Sequence, residues 1–190
     1  MQNQKVRKLY TIQSGLKKMS KPKVGIYGLT GCAGCQLSII FNEDEILDLI
    51  SLIDLRAFPF IKEKNYDEEF DLVFMEGLVA SANDLEVLKK VRSKTKILVA
   101  LGACAHTGCI PAYRKWTLKE NYEHLLYKKD DIIKDEDPSP IENHVKVDFT
   151  IPGCPPDKHE ILTFIKDVLK GKTPKTYNNP VCVECRRNNN

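Results

Sequence analysis

Cys32 and Cys35, in the stretch GLTGCAGCQLSII over residues 28–40, stand three apart with Gly34 beside the second. A Cys-x-x-Cys pair can cycle as a redox disulfide, supply half of a zinc site, or supply half of an iron–sulfur site. The other five cysteines decide among these. Cys104 and Cys154 each follow a short apolar, β-rich run and sit among glycines, in LGACAHTGC and TIPGCPP. Cys109 comes five residues after Cys104, and Cys182 and Cys185 form a second Cys-x-x-Cys in PVCVEC near the C-terminus.

The elements between these residues decide whether they can meet. Short apolar runs at 23–29, 52–58, 71–79, 96–104 and 146–154 read as strands. Helical spacing of apolar residues marks 36–50, 81–94 and 155–171, and a further helix is expected around 114–127. The helix at 81 has a Ser or Asn cap, and the last helix has proline at its start and glycine at its end. Residues 130–143 read as a loop. This alternation predicts an α/β fold: a flavodoxin-like, doubly wound parallel sheet covered by helices on both faces. A basic arm spans 1–22, the sheet domain 23–171, and an extended tail 172–190.

In such sheets ligands bind at the carboxyl ends of the strands. Cys32 and Cys35 fall in the loop after the first strand, Cys104 at the end of the fourth, Cys154 after the fifth. Four thiolates thus converge from three strand tips. Structural zinc usually takes two close pairs on small knuckles. Here the second pair is split over distant loops, and Gly31, Gly34, Gly102, Gly108 and Gly153 crowd the ligands. A 4Fe–4S cluster is larger, and its sulfides accept backbone N–H bonds, so close backbone approach favours glycine. The expected cofactor is therefore one 4Fe–4S cluster on Cys32, Cys35, Cys104 and Cys154. A thioredoxin-like disulfide would leave Cys104 and Cys154 unexplained. GLTGCAG has neither the Gly-Lys-Ser/Thr of a P-loop nor a GxGxxG.

Composition limits the remaining functions. The 190 residues are 42% hydrophobic and 29% charged, with no 18-residue apolar run, which argues for a globular chain without direct membrane insertion. The net charge of +3 is too small to argue for nucleic acid. Residues 1–23 hold seven Lys/Arg and no acid but no apolar core of a signal peptide, so the chain reads as cytoplasmic. Seven cysteines, an odd number, are then not a disulfide framework. Cys109 reads as a free thiol near the site. Cys182 and Cys185 cannot complete a four-thiolate cluster; a second site would need ligands from elsewhere, with a zinc clip or a disulfide as the alternative. Of the four histidines, His106 is near the cluster loop in sequence and is a candidate donor to a sulfide; no residue is assigned a catalytic role.

Cys-x-Gly-Cys after the first strand, Gly-x-Cys-Ala in the middle and Gly-Cys-Pro-Pro late together resemble the small subunits of cytosolic nickel–iron hydrogenases, of the methanogen F420-non-reducing and sulfhydrogenase type. The related 20-kDa subunit of complex I has adjacent cysteines at the first position; Ala33-Gly34 between them here favours the hydrogenase side. The resemblance covers about residues 23–171. It implies that Cys32, Cys35, Cys104 and Cys154 ligate the proximal 4Fe–4S cluster of an electron-transfer subunit, and that H2 is split at a Ni–Fe centre on a partner large subunit. A further electron-carrier subunit (ferredoxin-like, flavin or heterodisulfide-reductase-like) is implied as well. Glu76, in FMEGLV, matches an acidic residue near that cluster, with a surface carboxylate as the plain alternative. The tail resembles the opening of a ferredoxin-like extension that carries more cysteines than stand here. Cys109 stands where the pattern commonly has glycine, and Gln36 where many members have Glu; an ionised Glu could pass protons, whereas an amide cannot titrate. Three other functions stay open: a complex-I-like quinone module, a thiol–disulfide oxidoreductase, and a non-enzymatic scaffold subunit.

Overall fold

The computed structural model describes residues 21–41, 45–116, 135–174, 182, 185 and 186. Five strands form one parallel sheet: β1 (Lys23–Gly28), β2 (Asp54–Ala57), β3 (Phe70–Glu76), β5 (Thr95–Leu101) and β7 (Phe149–Ile151). Their order is β2-β1-β3-β5-β7, the flavodoxin-like doubly wound order. The chain steps outward from β1 to β2, then crosses back to β3, so the switch in strand order lies between β1 and β3. A separate antiparallel pair joins β4 (Val79–Ser81) to β6 (Asp135–Ser139).

Strand alternation sorts the core into two layers. Leu72 and Phe74 of β3 face the same side as Ile97 and Val99 of β5, and pack with Ile161, Phe164 and Ile165 of helix α5 (Lys158–Leu169). Val73, Met75, Leu98 and Ala100 face the other side, against Leu88 and Val91 of helix α3 (Ala82–Ser93). Both faces of β3 are therefore covered, which is why FDLVFME is apolar almost throughout. Rings meet edge-on at Phe74–Phe164 and Phe149–Phe164, with centroids 6.0 and 5.5 Å apart. No described helix is long and apolar enough to cross a membrane.

Several boundaries differ from those expected, each for a local reason. The segment expected as one helix over 36–50 is two, α1 (Gly34–Ile40) and α2 (Ile46–Leu52), with residues 42–44 between them outside the described residues. Gly77, at φ +85°, ends β3 and separates it from β4. Gly102, at φ +87°, ends β5 at Leu101 and starts a short helix, α4 (Gly102–Thr107), where a strand was expected to run on to 104. Apolar Ala103 and Ala105 suit either state, so composition did not show the turn. β7 is only three residues long; just before it Asp148 is tied to Leu98 twice, its N–H donating to Leu98 O at 2.9 Å and its carboxylate accepting from Leu98 N at 3.0 Å. Residues 110–116 form a 3-10 helix; the rest of the helix expected over 114–127 lies outside the described residues. The expected loop over 130–143 contains strand β6 and a 3-10 turn at Ile141–Asn143. The basic arm, apart from residues 21 and 22, and most of the tail also lie outside the described residues.

Candidate metal centre

The site gathers at the carboxyl ends of β1, β3, β5 and β7, beside the switch in strand order. The loop after β1 is fixed first. Leu29 N donates to Glu76 O at 2.9 Å, and Leu78 N donates to Thr30 O at 2.9 Å, so residues 29–30 lie against the turn after β3. A side chain at 77 would bring its Cβ to 2.7 Å of Thr30 O, which explains glycine there together with the positive φ. Asp84 completes the anchor. It is buried and accepts from Thr30 N (3.1 Å), Thr30 Oγ1 (2.8 Å), Ala80 N (3.1 Å), Ser81 N (3.0 Å) and Ser81 Oγ (2.8 Å). The same residue closes the capping box of α3 with Ser81. One carboxylate thus caps a helix and holds the cysteine loop, a double role that Ser-x-x-Asp signals only in its capping half.

Ala33, at φ 62°, then turns the chain into α1 and its carbonyl accepts Leu37 N at 3.0 Å. Cys32 stays exposed before the helix, and Cys35 enters its first turn, 6% exposed. On the far side of the sheet, Ala103 N donates to Gly153 O at 2.8 Å, clamping the start of α4 to the loop that carries Cys154. Gly102 lies against Cys35: a Cβ there would be 2.3 Å from the Cys35 Sγ. The Cβ of an alanine at 34 would be 3.3 Å from the Cys32 Sγ. Glycine leaves room beside two of the sulfurs.

Electrostatics show that the four thiols share one neighbourhood. Burial pushes the Cys35 thiol up to about 12, and the charges of Glu76, Cys104, Cys32 and Cys154 add to the effect. Burial pushes Cys104 up to about 11, with Cys109, Cys154 and Cys32 adding. Cys154 is raised mainly by the charge of Cys109, then by partial burial, a hydrogen bond with Cys109, and the charge of Cys32. Thiolates held this close repel one another unless a cation sits among them. None of the seven cysteines is in a disulfide. Among the described residues no group of three or more His, Cys, Asp or Glu side chains is set to hold a single metal ion.

The surrounding residues take definite places. Glu76 is buried, not on the surface, and accepts from Gln36 Nε2 at 2.6 Å. Gln36 in turn fills the space over Gly28, where a Cβ would lie 2.7 Å from its Nε2. His106 is on α4, with its Nδ1 enclosed and without a hydrogen-bond partner among the described residues. Cys109, at φ 47°, adds its charge to the upward push on the Cys104 and Cys154 thiols, and its backbone N–H donates to Thr107 Oγ1 at 3.4 Å. Cys182 and Cys185 are exposed. Soft thiols on three strand tips, glycine at their backs and mutual charge repulsion fit an iron–sulfur cluster.

Residues 32–168 match the protein family described as the 20-kDa subunit of NADH ubiquinone oxidoreductase. The chain is 36% identical over 166 residues to the sulfhydrogenase 2 subunit delta of Pyrococcus furiosus, covering 87% of this chain and 70% of that one. It is 34% identical to a vhu subunit of the F420-non-reducing hydrogenase of Methanocaldococcus jannaschii, with 87% of this chain covered but only 62% of that one. It is 32% identical to the NAD-reducing hydrogenase HoxS subunit delta of Cupriavidus necator, covering 80% of each. Among solved structures, a chain of an NAD+-reducing [NiFe]-hydrogenase in the H2-reduced state superposes with a TM-score of 0.77 at 29% identity, over 84% of this chain and 97% of that one. A [NiFeSe] hydrogenase chain from Desulfovibrio vulgaris Hildenborough, at 18% identity and a TM-score of 0.55, shares the fold.

Proposed function

The chain belongs to the family of the 20-kDa subunit of NADH ubiquinone oxidoreductase, among relatives that are hydrogenase small subunits, and from that premise we propose that it is the electron-transfer small subunit of a nickel–iron hydrogenase. Cys32, Cys35, Cys104 and Cys154 would hold one proximal 4Fe–4S cluster, which exchanges electrons singly with a Ni–Fe site on a partner large subunit. What supports this reading is the placement of the cysteines on three strand tips, with Cys35 feeling the charges of Cys104, Cys32 and Cys154 and Gly102 pressed against its sulfur.

The residues around the thiols each have a task in this reading. Asp84 fixes the first loop through Thr30, and the Ala103–Gly153 bond fixes the other two loops against each other. Buried Glu76, held by Gln36, keeps a carboxylate close enough to raise Cys35. A carboxylate so placed opposes extra negative charge at the centre and so tunes it to give electrons away. Ile110 and Tyr113, 73% and 59% exposed just after Cys109, offer apolar surface beside the thiols for a large subunit to cover. A cytoplasmic location and a further electron-carrier subunit belong to the same proposal.

Co-expression with the candidate large subunit tests it. The expected outcome is a complex containing nickel, in which H2 bleaches the visible absorption of this chain's cluster. A complex that forms without nickel, or a cluster that H2 leaves oxidised while dithionite reduces it, refutes the hydrogenase reading.

A further inference from the structure

Helix α2 leaves apolar side chains in solvent. Leu47 is 76% exposed and Ile50 43%; they stand three apart and so share one side of the helix. Leu52, at the end of the helix, is 50% exposed. Charge in this stretch has one sign. Residues 45–54, EILDLISLID, hold Glu45, Asp48 and Asp54 and no Lys or Arg. Glu45 meets Lys166 at 3.0 Å and Asp54 meets Arg56 at 3.4 Å, but both carboxylates are half-exposed, and ion pairs in that setting contribute little.

The chain enters the sheet beside this helix. Asp54 N donates to Pro22 O at 2.9 Å, and Lys23 is the register partner of Asp54. Leu52 stands two residues before Asp54, so the chain preceding Pro22 starts next to the C-terminal end of α2. That point is at the amino end of β2, opposite the cysteine loops and the large subunit proposed there. Residues 1–20 precede it and lie outside the described residues. They hold five Lys or Arg and no Asp or Glu, with Leu16 and Met19 as the apolar residues nearest the sheet. A seven-residue helix is about 10 Å long. Five extended residues reach about 17 Å, so Leu16 and Met19 can lie along it.

We propose that the chain's own basic arm covers this face. Residues 1–20 fold back over α2, with Leu16 and Met19 against Leu47, Ile50 and Leu52, and Lys17 and Lys18 beside the acids of 45–54. A second copy or a separate subunit needs more surface, because a standard complex buries roughly 800 Å² per partner, which three such side chains do not supply. The arm needs less. A short tether presents it at an effective concentration on the order of millimolar, so modest contacts hold it in place.

The test is hydrogen–deuterium exchange of the α2 amides, read by mass spectrometry, in the 190-residue chain and in a chain lacking residues 2–20. The α2 amides should exchange several-fold slower in the full chain, while those of α3 exchange alike in both. Reversing two charges in the full chain, Lys17→Glu with Lys18→Glu, should bring α2 toward the faster rate. Zero-length carbodiimide cross-linking should join Lys17 or Lys18 to an acid of 45–54 within one chain. Equal α2 exchange in the two chains overturns the proposal. Protection that is lost on dilution gives the face to a second copy, and protection that appears only with an added large subunit gives it to that partner; either result overturns the proposal too. Should the shortened chain fail to fold, the charge reversal decides: unchanged α2 exchange together with no such cross-link in the wild type overturns it.

Discussion

Replacing Gly102 by alanine tests how the site is built. The new Cβ would lie 2.3 Å from the Cys35 Sγ and 3.5 Å from Gly153 O. Unstrained contact between heavy atoms begins at about 3.5 Å, so the sulfur must retreat by about 1.2 Å. It has little room, because Cys35 belongs to the core layer with Val24, Ile26 and Phe74. Overpacking of this kind costs about 1–3 kcal/mol. The backbone adds to it, since φ is +87° and a side chain in left-handed space costs about 1–2 kcal/mol. The total of about 2–5 kcal/mol is a large part of the roughly 5–15 kcal/mol that stabilises a domain. With a slope near 2 kcal/mol per molar, the urea midpoint of the cluster-free chain should fall by roughly 1–2.5 M. Displacing one ligand sulfur by an ångström should also abolish iron loading. Gly34→Ala is the control. Its Cβ meets the Cys32 Sγ at 3.3 Å, Cys32 is exposed and free to shift, and alanine gains about 1 kcal/mol of helix propensity over glycine. Equilibrium unfolding in urea and iron per chain provide the assay. Gly102→Ala with full iron, and a midpoint no lower than that of Gly34→Ala, would refute the packing argument.

Two further outcomes follow from the same geometry. Asp84→Ala strands the Thr30 and Ala80 amides and should cost roughly 2–4 kcal/mol, with faster hydrogen exchange at both amides; slow exchange at Thr30 would show that the loop is held by something else. In the cluster-free chain Cys35 is raised from 9.0 to about 12, so at pH 8 it should react with iodoacetamide roughly a thousandfold slower than an unshifted thiol, and a rate equal to that of a small-molecule thiol would contradict its burial. The sign for stability is that of a group kept neutral by the fold: the contribution is fully present below pH 9 and is lost as pH rises through about 12.

The sheet was legible because its strands are buried on both faces and so read as short apolar runs, as in FDLVFME and KILVAL. The positions of Cys32, Cys35, Cys104 and Cys154 at strand tips followed from the alternation of elements alone. The exact ends of the elements did not, because single glycines at positive φ set them: Gly77 cuts one apolar run into β3 and β4, and Gly102 turns another from strand to helix. A glycine in a sequence does not state its φ. Asp84 was legible as a helix-capping residue and illegible as the anchor of Thr30, since that bond spans 54 residues. Cys109 was the hardest, because its place depends on two successive left-handed residues that local pattern does not reveal.

The central claim is that four cysteines of this chain hold one four-iron cluster. Iron and acid-labile sulfide per chain, measured on the anaerobically reconstituted 190-residue chain with the spectrum of its reduced form, test it most directly. About four irons and four sulfides are expected. The signal should show no coupling to a second cluster and should be unchanged by Cys182→Ser. One zinc per chain and no sulfide, or about eight irons with a coupled signal that Cys182→Ser removes, would contradict the claim.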